Sequence, residues 1–461
     1  SLNFATATTS YNTAVGARAG EAVTTGLYNT LIGGLAGDAL TDADHNVAIG
    51  FNALSSDTLG SASIAIGKGA LNGQNFTTAT TAYNVAVGHS AGTSVTTGVS
   101  NTLIGGLAGD AITTGDQNVA VGYLALTSNQ TADGNTAIGV GALNDTTGAD
   151  NVAVGKLAGF AVNSGTFATL VGSQAGDALT TADYTTVVGG LALTTEDVGN
   201  TTTAVGYAAG YSQNTATSAT TFNTLLGFQT GFYNVTGTGN TYVGHGVGQG
   251  ASGQSNSSNT GMGREALFQI TTGSTNTAIG YSAGINITSG SNLLALGADA
   301  ARSGSPGGAA TNGSNAIYLA DENVTAAYIQ VDWTISSDER DKTDFADLDL
   351  GLDFVKALEP VTYYWDKRSK YGDKTITDED GKRIPNPDYD LDSYTPDGTH
   401  KEDWMDIGFK AQSVQALEEA AGYKAEDKKN LTVAMSDDGK QMGLQYNKFV
   451  PILVKAVQEL S

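Results

Sequence analysis

Ser337 and Lys342 lie five residues apart in the segment ISSDERDKTDF, where the two side chains could form a nucleophile and a base. A serine hydroxyl is a poor nucleophile at neutral pH and needs a base. A lysine can serve only if burial or nearby cations lower its pKa from about 10.4. Arg340 favours such a shift, whereas four carboxylates oppose it: Asp338, Glu339, Asp341 and Asp344. The interval alone does not identify a dyad, because Ser369 and Lys374 repeat it.

The composition of the chain changes at this segment. Residues 1–335 carry only five basic side chains, and the others follow. The net charge of −24 argues against a nucleic-acid partner, which needs clustered Lys and Arg. No stretch approaches the roughly 18 apolar residues that span a bilayer, so membrane insertion is not expected. Cysteine is absent, which excludes disulfides and thiolate metal ligands. We expect two unlike domains.

The first domain is repetitive. The motif is Asn, then Thr or Val, then Ala or Leu, then Val or Ile, then Gly, as in YNTAVG and QNVAVG. Most of the intervals between its glycines are 17 residues, and the intervals Gly67 to Gly88 and Gly206 to Gly227 are 21. β-Branched residues alternate with small ones, and Gly ends each run where the chain turns. This pattern predicts a parallel β-solenoid or β-roll with one short strand pair per coil.

Both faces of each predicted strand are apolar or small, which indicates burial on both sides. A lone solenoid buries one face in its interior. We therefore expect the Ala-rich face to pack against two further copies in a homotrimer. A monomeric solenoid with a solvated Ala face is the alternative.

Two sets of residues that recur from repeat to repeat could be interpreted as binding sites. We interpret the repeated Asn as a structural ladder between coils and turns. Its members include Asn12, Asn29, Asn46, Asn84, Asn101, Asn118, Asn135 and Asn151. The aromatic residues before it could stack on sugars, but stacking between coils is the preferred interpretation. These are Tyr11, Tyr28, Tyr83, Phe167, Tyr184 and Phe222. The Gly-Asp pairs do not match a calcium-binding repeat, and we predict no metal and no cofactor.

These repeats resemble the heads of trimeric autotransporter adhesins over about residues 10–300, although the repeat here is longer. Similar repeats occur in long bacteriophage tail fibres. We assign residues 1–313 to the solenoid, as shaft and receptor-binding domain. Residues 314–335 form a predicted β neck of two strands around a turn, with Ile317 and Leu319 in the first strand. Tyr328, Ile329, Val331 and Trp333 belong to the second.

Residues 336–461 contain four ordered blocks, which are SDERDK, LDFVKALEPVTYYW, GFKAQSV and LQYNKFVPILVKAVQEL. Together they resemble the intramolecular chaperone auto-processing domain of endosialidases and of other phage tail fibres and spikes. The resemblance implies a domain that trimerises, helps the upstream β-structure fold and then cuts itself off. It also implies a Ser–Lys dyad, which Ser337 and Lys342 match. The bond at risk is then Ser337–Asp338, with Ser336–Ser337 as the alternative.

The spacing of apolar residues predicts a smaller α+β domain. One helix contains Leu350, Phe354 and Leu358 and stops at Pro360, and a second ends at Gly422. A C-terminal amphipathic helix carries a stripe that could be core within one chain or a seam of three helices. Its members are Ile452, Leu453, Val457 and Leu460. The charged insert at 366–404 predicts exposed loops or a hairpin.

The expected protein is a mainly β, homotrimeric tail-fibre protein of the virion that binds a host-surface receptor, a glycan or an outer-membrane protein. Long solenoids can pair out of register, so a C-terminal domain that trimerises first would align them. The longer coils at residues 72–83 and 212–222 are the predicted contact sites. Self-cleavage would be one event, with no activity on other substrates. The alternative is a bacterial trimeric surface adhesin whose chaperone-like domain does not cleave.

Overall fold

A computed structural model describes residues 9–181, 183–215, 220–330, 334–377, 383–427, 429 and 431–461. The chain divides into two compact units. Unit 1 comprises Ser1–Glu265 and Ile270–Thr275, and unit 2 comprises Ala266–Gln269 and Asn276–Ser461.

Unit 1 is a parallel β-solenoid with one strand per coil in its main ladder. Successive strands pair in parallel and in register, so Leu103 lies between Ala86 and Ala120. Only Gly60–Ser61 and Thr80–Thr81 form a second short ladder within the described part of this unit. The predicted strand pair in every coil is therefore wrong, because turns fill most of each coil. The strands are β1 (Thr13–Val15), β2 (Thr30–Ile32), β3 (Val47–Ile49), β4 (Gly60–Ser61), β5 (Ile64–Ile66), β6 (Thr80–Thr81), β7 (Val85–Val87), β8 (Thr102–Ile104), β9 (Val119–Val121), β10 (Thr136–Ile138), β11 (Val152–Val154), β12 (Thr169–Val171), β13 (Thr186–Val188), β14 (Thr203–Val205), β15 (Thr224–Leu226), β16 (Thr241–Val243) and β17 (Thr260–Met262).

The middle residue of each strand faces the interior of the coil. Ala86, Leu103 and Ala120 are fully buried, whereas Ile104 on the third strand position is 39% exposed. The predicted Ala-rich outer face is therefore wrong, because alanine, or leucine in some coils, lines the interior, whereas the third strand position, mostly Val or Ile, points outward. An apolar outer column exists, but Val, Ile and Leu form most of it.

Glycine ends the strands for a geometric reason. Gly105 has φ +138°, and a Cβ on it would lie 2.5 Å from the carbonyl oxygen of Gly122 in the next coil. Only glycine combines this backbone conformation with so close an approach. The prediction that Gly marks the turn is confirmed.

The Asn ladder is confirmed as well. Asn118 is buried, and its Oδ1 accepts a hydrogen bond from the backbone N–H of Asn135 at 3.0 Å. Its Nδ2 donates to the carbonyl oxygen of Ala132 at 3.0 Å. Each amide thus joins its neighbour coil and a turn, which satisfies backbone groups that would otherwise be buried unpaired.

Stacking between coils is confirmed for several of the aromatic residues. The rings of Tyr11 and Tyr28 stack with centroids 5.3 Å apart, and Tyr28 stacks on His45 at 4.9 Å. Phe167 and Tyr184 stack at 5.6 Å. The rings remain partly exposed, so they support one another along the column rather than filling the interior.

Unit 2 begins with three more parallel strands and continues as an α+β domain. Ala316–Leu319 pairs in parallel with Leu293–Leu296, so this part of the predicted neck is another coil. The predicted second strand of the neck is wrong at Tyr328 and Ile329, because residues 324–330 are exposed and contain no strand. Val331 and Trp333 lie outside the described residues. Three antiparallel pairs follow, which are Val361–Tyr364 with Met405–Gly408, Thr375–Thr377 with Arg383–Pro385, and Val433–Met435 with Met442–Leu444. The elements are β18 (Thr277–Ile279), β19 (Leu293–Leu296), β20 (Ala316–Leu319), α1 (Leu352–Ala357), β21 (Val361–Tyr364), β22 (Thr375–Thr377), β23 (Arg383–Pro385), β24 (Met405–Gly408), α2 (Ala411–Ala420), β25 (Val433–Met435), β26 (Met442–Leu444) and α3 (Phe449–Leu460).

The C-terminal part of unit 2 has a small core. Its buried members are Leu350, Phe354, Val414, Val433, Phe449 and Ile452. The three predicted helices are present, with α1 ending before Pro360 and α2 before Gly422. The helical positions predicted for Leu350 and Leu358 are wrong, because Gly351 and Leu358 cap α1. The predicted stripe of α3 divides: Ile452 enters the core, whereas Leu453, Val457 and Leu460 are exposed. The charged insert contains the hairpin β22–β23, with residues 378–382 outside the described part.

Candidate active site

The segment from Ser337 to Lys342 folds back on itself in one short turn. Asp338 precedes a 3-10 turn at Glu339–Asp341, and its Oδ1 accepts a hydrogen bond from the backbone N–H of Arg340 at 2.9 Å. This bond satisfies a donor at the start of the turn. The N–H of Lys342 closes the turn by donating to the carbonyl oxygen of Glu339 at 3.1 Å. The turn therefore returns the chain to Ser337.

The two residues of the predicted dyad lie together. Lys342 Nζ is 2.5 Å from Ser337 Oγ and 3.1 Å from the Ser337 carbonyl oxygen. One amine thus contacts both the hydroxyl and the carbonyl oxygen of Ser337. The contact with Oγ has the geometry that general-base activation of the hydroxyl requires. Both side chains are exposed in the single chain.

Arg340 pairs with Asp338 and not with the dyad. Its Nη2 lies 2.6 Å from Asp338 Oδ2, and its Nε lies 3.0 Å from Oδ1. The hydrogen bonds from Arg340 lower the pKa of Asp338, and the same pairing raises the pKa of Arg340. The negative charge of Asp338, the nearest carboxylate to Ser337 in sequence, is thereby balanced by Arg340. Arg340, the cation expected to favour a neutral lysine, is engaged by Asp338 instead of facing Lys342.

A buried cluster elsewhere in unit 2 was missed by sequence reasoning. Ser369 and Lys374 have the dyad spacing, and both pack against Gly304. Lys374 Nζ forms an ion pair with Glu322, and both side chains are almost fully buried. Burial, with Arg302 nearby, lowers the pKa of Lys374 to about 8. The partners are 52 residues apart, and no local pattern in the sequence indicates their pairing.

Neither a metal site nor a membrane span is found in the described part of the chain. No group of three or more His, Asp or Glu side chains there is arranged to hold a metal ion. None of its helices has the length and apolar character to cross a bilayer.

The model of the chaperone of endosialidase family matches residues 337–423. The match begins at Ser337 and includes the turn, α1 and α2. No curated protein matches the chain. A β-solenoid followed by a chaperone of endosialidase domain fits a phage tail-fibre family, as the sequence resemblance indicated.

Proposed function

We propose that this chain is a homotrimeric phage tail-fibre protein of the virion, in which the C-terminal domain templates the assembly of the solenoid and then cuts itself off. The observation that carries the proposal is the contact between Ser337 Oγ and Lys342 Nζ at the start of the segment that matches the chaperone family. A host-surface receptor, a glycan or an outer-membrane protein, is the proposed ligand of the solenoid.

The outer column of the solenoid supports the trimer. The third residue of each strand in the main ladder of unit 1 is apolar, and none of these side chains is fully buried. A partner for such a column must have the same spacing from coil to coil, which another copy of this solenoid has. The column comprises Val15, Ile32, Ile49, Ile66, Val87, Ile104, Val121, Ile138, Val154, Val171, Val188, Val205, Leu226, Val243 and Met262.

The need for a template follows from the same repetition. Adjacent coils bury nearly equivalent residues, so a slip of one coil between chains costs little contact. The C-terminal domain has no such repeat and can associate in one register. Its exposed apolar residues, among them Trp404, Ile407 and Val457, offer it a surface for association. Cleavage after assembly would end the covalent link between the solenoid and its template, so that assembly becomes hard to reverse.

The proposed reaction is hydrolysis of the Ser337–Asp338 bond. In this scheme the Lys342 amine takes the Ser337 hydroxyl proton, and the oxygen attacks the carbonyl carbon of the bond that is cut. The C–N bond of that carbonyl then breaks, the leaving amine takes the proton from Lys342, and water hydrolyses the ester that has formed. The products are a carboxylate at Ser337 and an amine at Asp338. Attack of Ser337 on its own carbonyl would form a strained four-membered ring, so the attacking hydroxyl for this bond comes from another chain. Attack within one chain reaches the Ser336 carbonyl through a five-membered ring, which is the route to the alternative bond.

Receptor contact is proposed at the first longer coil. Residues 77–79 are exposed at its tip, while Phe76 beside them is buried. The fully buried Asp57 anchors the base, accepting from Phe76 N at 3.1 Å and from Gln74 Nε2 at 2.6 Å. Such anchoring holds a protruding loop in one conformation, which favours binding.

The second longer coil has the same kind of base. The buried Glu196 accepts from Gln213 Nε2 at 2.8 Å and from Thr215 N at 3.1 Å. Residues 216–219 of its predicted contact segment lie outside the described residues.

Denaturing gels and mass spectrometry of four chains test the cleavage: wild type, Ser337→Ala, Lys342→Met and the adjacent control Ser336→Ala. We expect fragments from the wild type and from Ser336→Ala, and an intact chain of 46.9 kDa from the other two. The fragment masses distinguish the two candidate bonds. A wild type that stays intact after assembly would contradict the cleavage proposal, and light scattering that gives a monomer would contradict the trimer.

A further inference from the structure

The last coils of the solenoid and the C-terminal domain meet in unit 2 through two groups of polar contacts. We call this interface the terminal-coil dock. It comprises Arg302, Tyr318 and Glu322 from the coils and Lys374 and Asp437 from the domain. All three coil residues precede Ser337 in the chain, and both domain residues follow it.

The first group is a buried ion pair. Glu322 is 6% exposed and pairs with Lys374 Nζ, and its backbone carbonyl accepts from Lys367 Nζ at 3.0 Å. Arg302 is also buried and forms an ion pair with Asp299 at 2.8 Å. Replacement of Lys374 while the domain stays docked would leave the Glu322 carboxylate unpaired in a largely buried site, which is costly.

The second group lies on the β25–β26 turn. The buried Tyr318 hydroxyl donates to Asp437 Oδ2, and Asp437 N donates to the Gly307 carbonyl oxygen at 3.3 Å. Asp438 Oδ2 accepts from the backbone N–H of Ala309 at 3.1 Å. Burial and the neighbouring Asp437 raise the pKa of Tyr318, so the hydroxyl stays protonated and can donate.

The described parts of the covalent connection between the two sides make little contribution to this interface. Residues 324–330 and 334–337 are exposed and contain no helix or strand. The dock contacts therefore do not depend on the peptide bond at Ser337.

We infer that the fragment 338–461 stays bound to the terminal coil after the chain is cut, and that its release requires the terminal-coil dock to open. The partner of this interaction surface is the chain's own C-terminal fragment. The inference rests on the proposed cleavage for its biological setting, but its test does not depend on it.

The test uses full-length Ser337→Ala with the recognition sequence of a site-specific protease inserted between Ala326 and Ala327. After cutting at neutral pH, size-exclusion chromatography and a denaturing gel of each fraction show whether the fragments co-elute. We expect co-elution. The same chain with Lys374→Met leaves Glu322 unpaired, and we expect dissociation to accelerate roughly 30-fold or more. Lys356→Met, which removes an exposed lysine of the same domain, is the matched control.

The inference would be overturned if the C-terminal fragment separates from the solenoid when the parent chain or the Lys356→Met control is cut. Retention of the fragment by Lys374→Met as firmly as by the parent would also overturn it, because entanglement of chains rather than the dock would then hold the fragment. If Lys374→Met does not fold, Tyr318→Phe and Asp437→Asn provide milder disruptions of the second group. Release of the fragment faster than from Lys356→Met would support the inference, and release at the same rate would overturn it. Because the cut is made by an added protease, failure of self-cleavage cannot affect this result.

Discussion

The solenoid and the C-terminal domain satisfy their side chains in different ways. A coil such as that of Leu103 buries its interior residue completely and has its backbone paired by both neighbours. The C-terminal domain buries six residues in its core, while Trp404 is 81% and Ile407 75% exposed. Stacking thus buries the interior of each coil within one chain, whereas the large exposed apolar side chains of the domain suit the proposed association between chains. In the proposed assembly, the domain that carries these exposed side chains associates first.

The largest expected effect is a loss of trimer assembly, which should follow when a charged side chain is placed on the exposed face of α3. Val457 is 64% exposed, and Val457→Lys would place an ammonium group in the proposed seam between three chains, where desolvation costs several kcal/mol. We expect light scattering to show loss of the trimer and the soluble yield to fall at least tenfold. Gln458→Lys, on the next exposed position of the helix, is the control. If Val457→Lys remains as trimeric as the control, α3 does not form the seam.

A second effect concerns the coil itself. Gly105→Ala puts a Cβ at 2.5 Å from a backbone oxygen on a residue with φ +138°, and we expect a loss of about 3 kcal/mol or more. Gly106→Ala is the matched control, because its Cβ would meet only the ring of Tyr123 at 3.5 Å. Urea unfolding followed by circular dichroism measures both. Equal midpoints for the two variants would show that coils tolerate local strain, contrary to the tight stacking described here.

Repetition explains which features the sequence could predict. The period, the terminal Gly and the Asn ladder recur in many coils, so one pattern is sampled repeatedly. The orientation of the strands was not predictable in this way, since small and β-branched residues both suit a buried face. Tyr28 and Leu107 adopt φ +59° and +56°, a left-handed conformation that neither residue type favours and that only the closure of the coil imposes.

The candidate site shows the same limit. The resemblance located Ser337 and Lys342, and a short turn joins them within one local segment. The pair of Lys374 and Glu322 joins distant parts of the chain in a single copy, without repeat or motif. Its prediction would have required knowledge of how the insert packs on the last coils. The spacing of Ser369 and Lys374 carried no signal of it.

A third effect tests the ladder on which each coil depends. Asn101→Ala removes the acceptor of the Asn118 N–H and the donor to the Gly115 carbonyl, both at 2.9 Å and buried. Leaving buried groups unpaired costs about 2 kcal/mol in sum. Thr114→Ala, at an exposed position of the following turn, is the control. Urea midpoints that do not differ would mean that water replaces the amide, and the ladder would then be less important than stacking of the strands.

The smallest effect is the pH dependence of the terminal-coil dock. Lys374 has a pKa of about 8 when docked, below the value of about 10.4 that it regains in solvent. The cost of burying its charge is therefore fully present below pH 8 and is relieved as the pH rises towards 10.4. The cut fragment thus binds more tightly between pH 8 and 9.5, by at most about tenfold per pH unit.

The other charged groups that face Lys374 do not reverse this sign. Glu322, Asp299 and Asp321 are carboxylates and Arg302 is a guanidinium, whose ordinary pKa values lie well outside this range. Dissociation rates of the cut fragment at pH 7, 8, 9 and 9.5 measure the effect, and Lys374→Met provides the baseline without it. A fragment that dissociates faster at pH 9.5 than at pH 8 would show that the ion pair outweighs the cost of burial. The dock would then depend on charge attraction, unlike the solenoid, whose coils are joined by neutral amides.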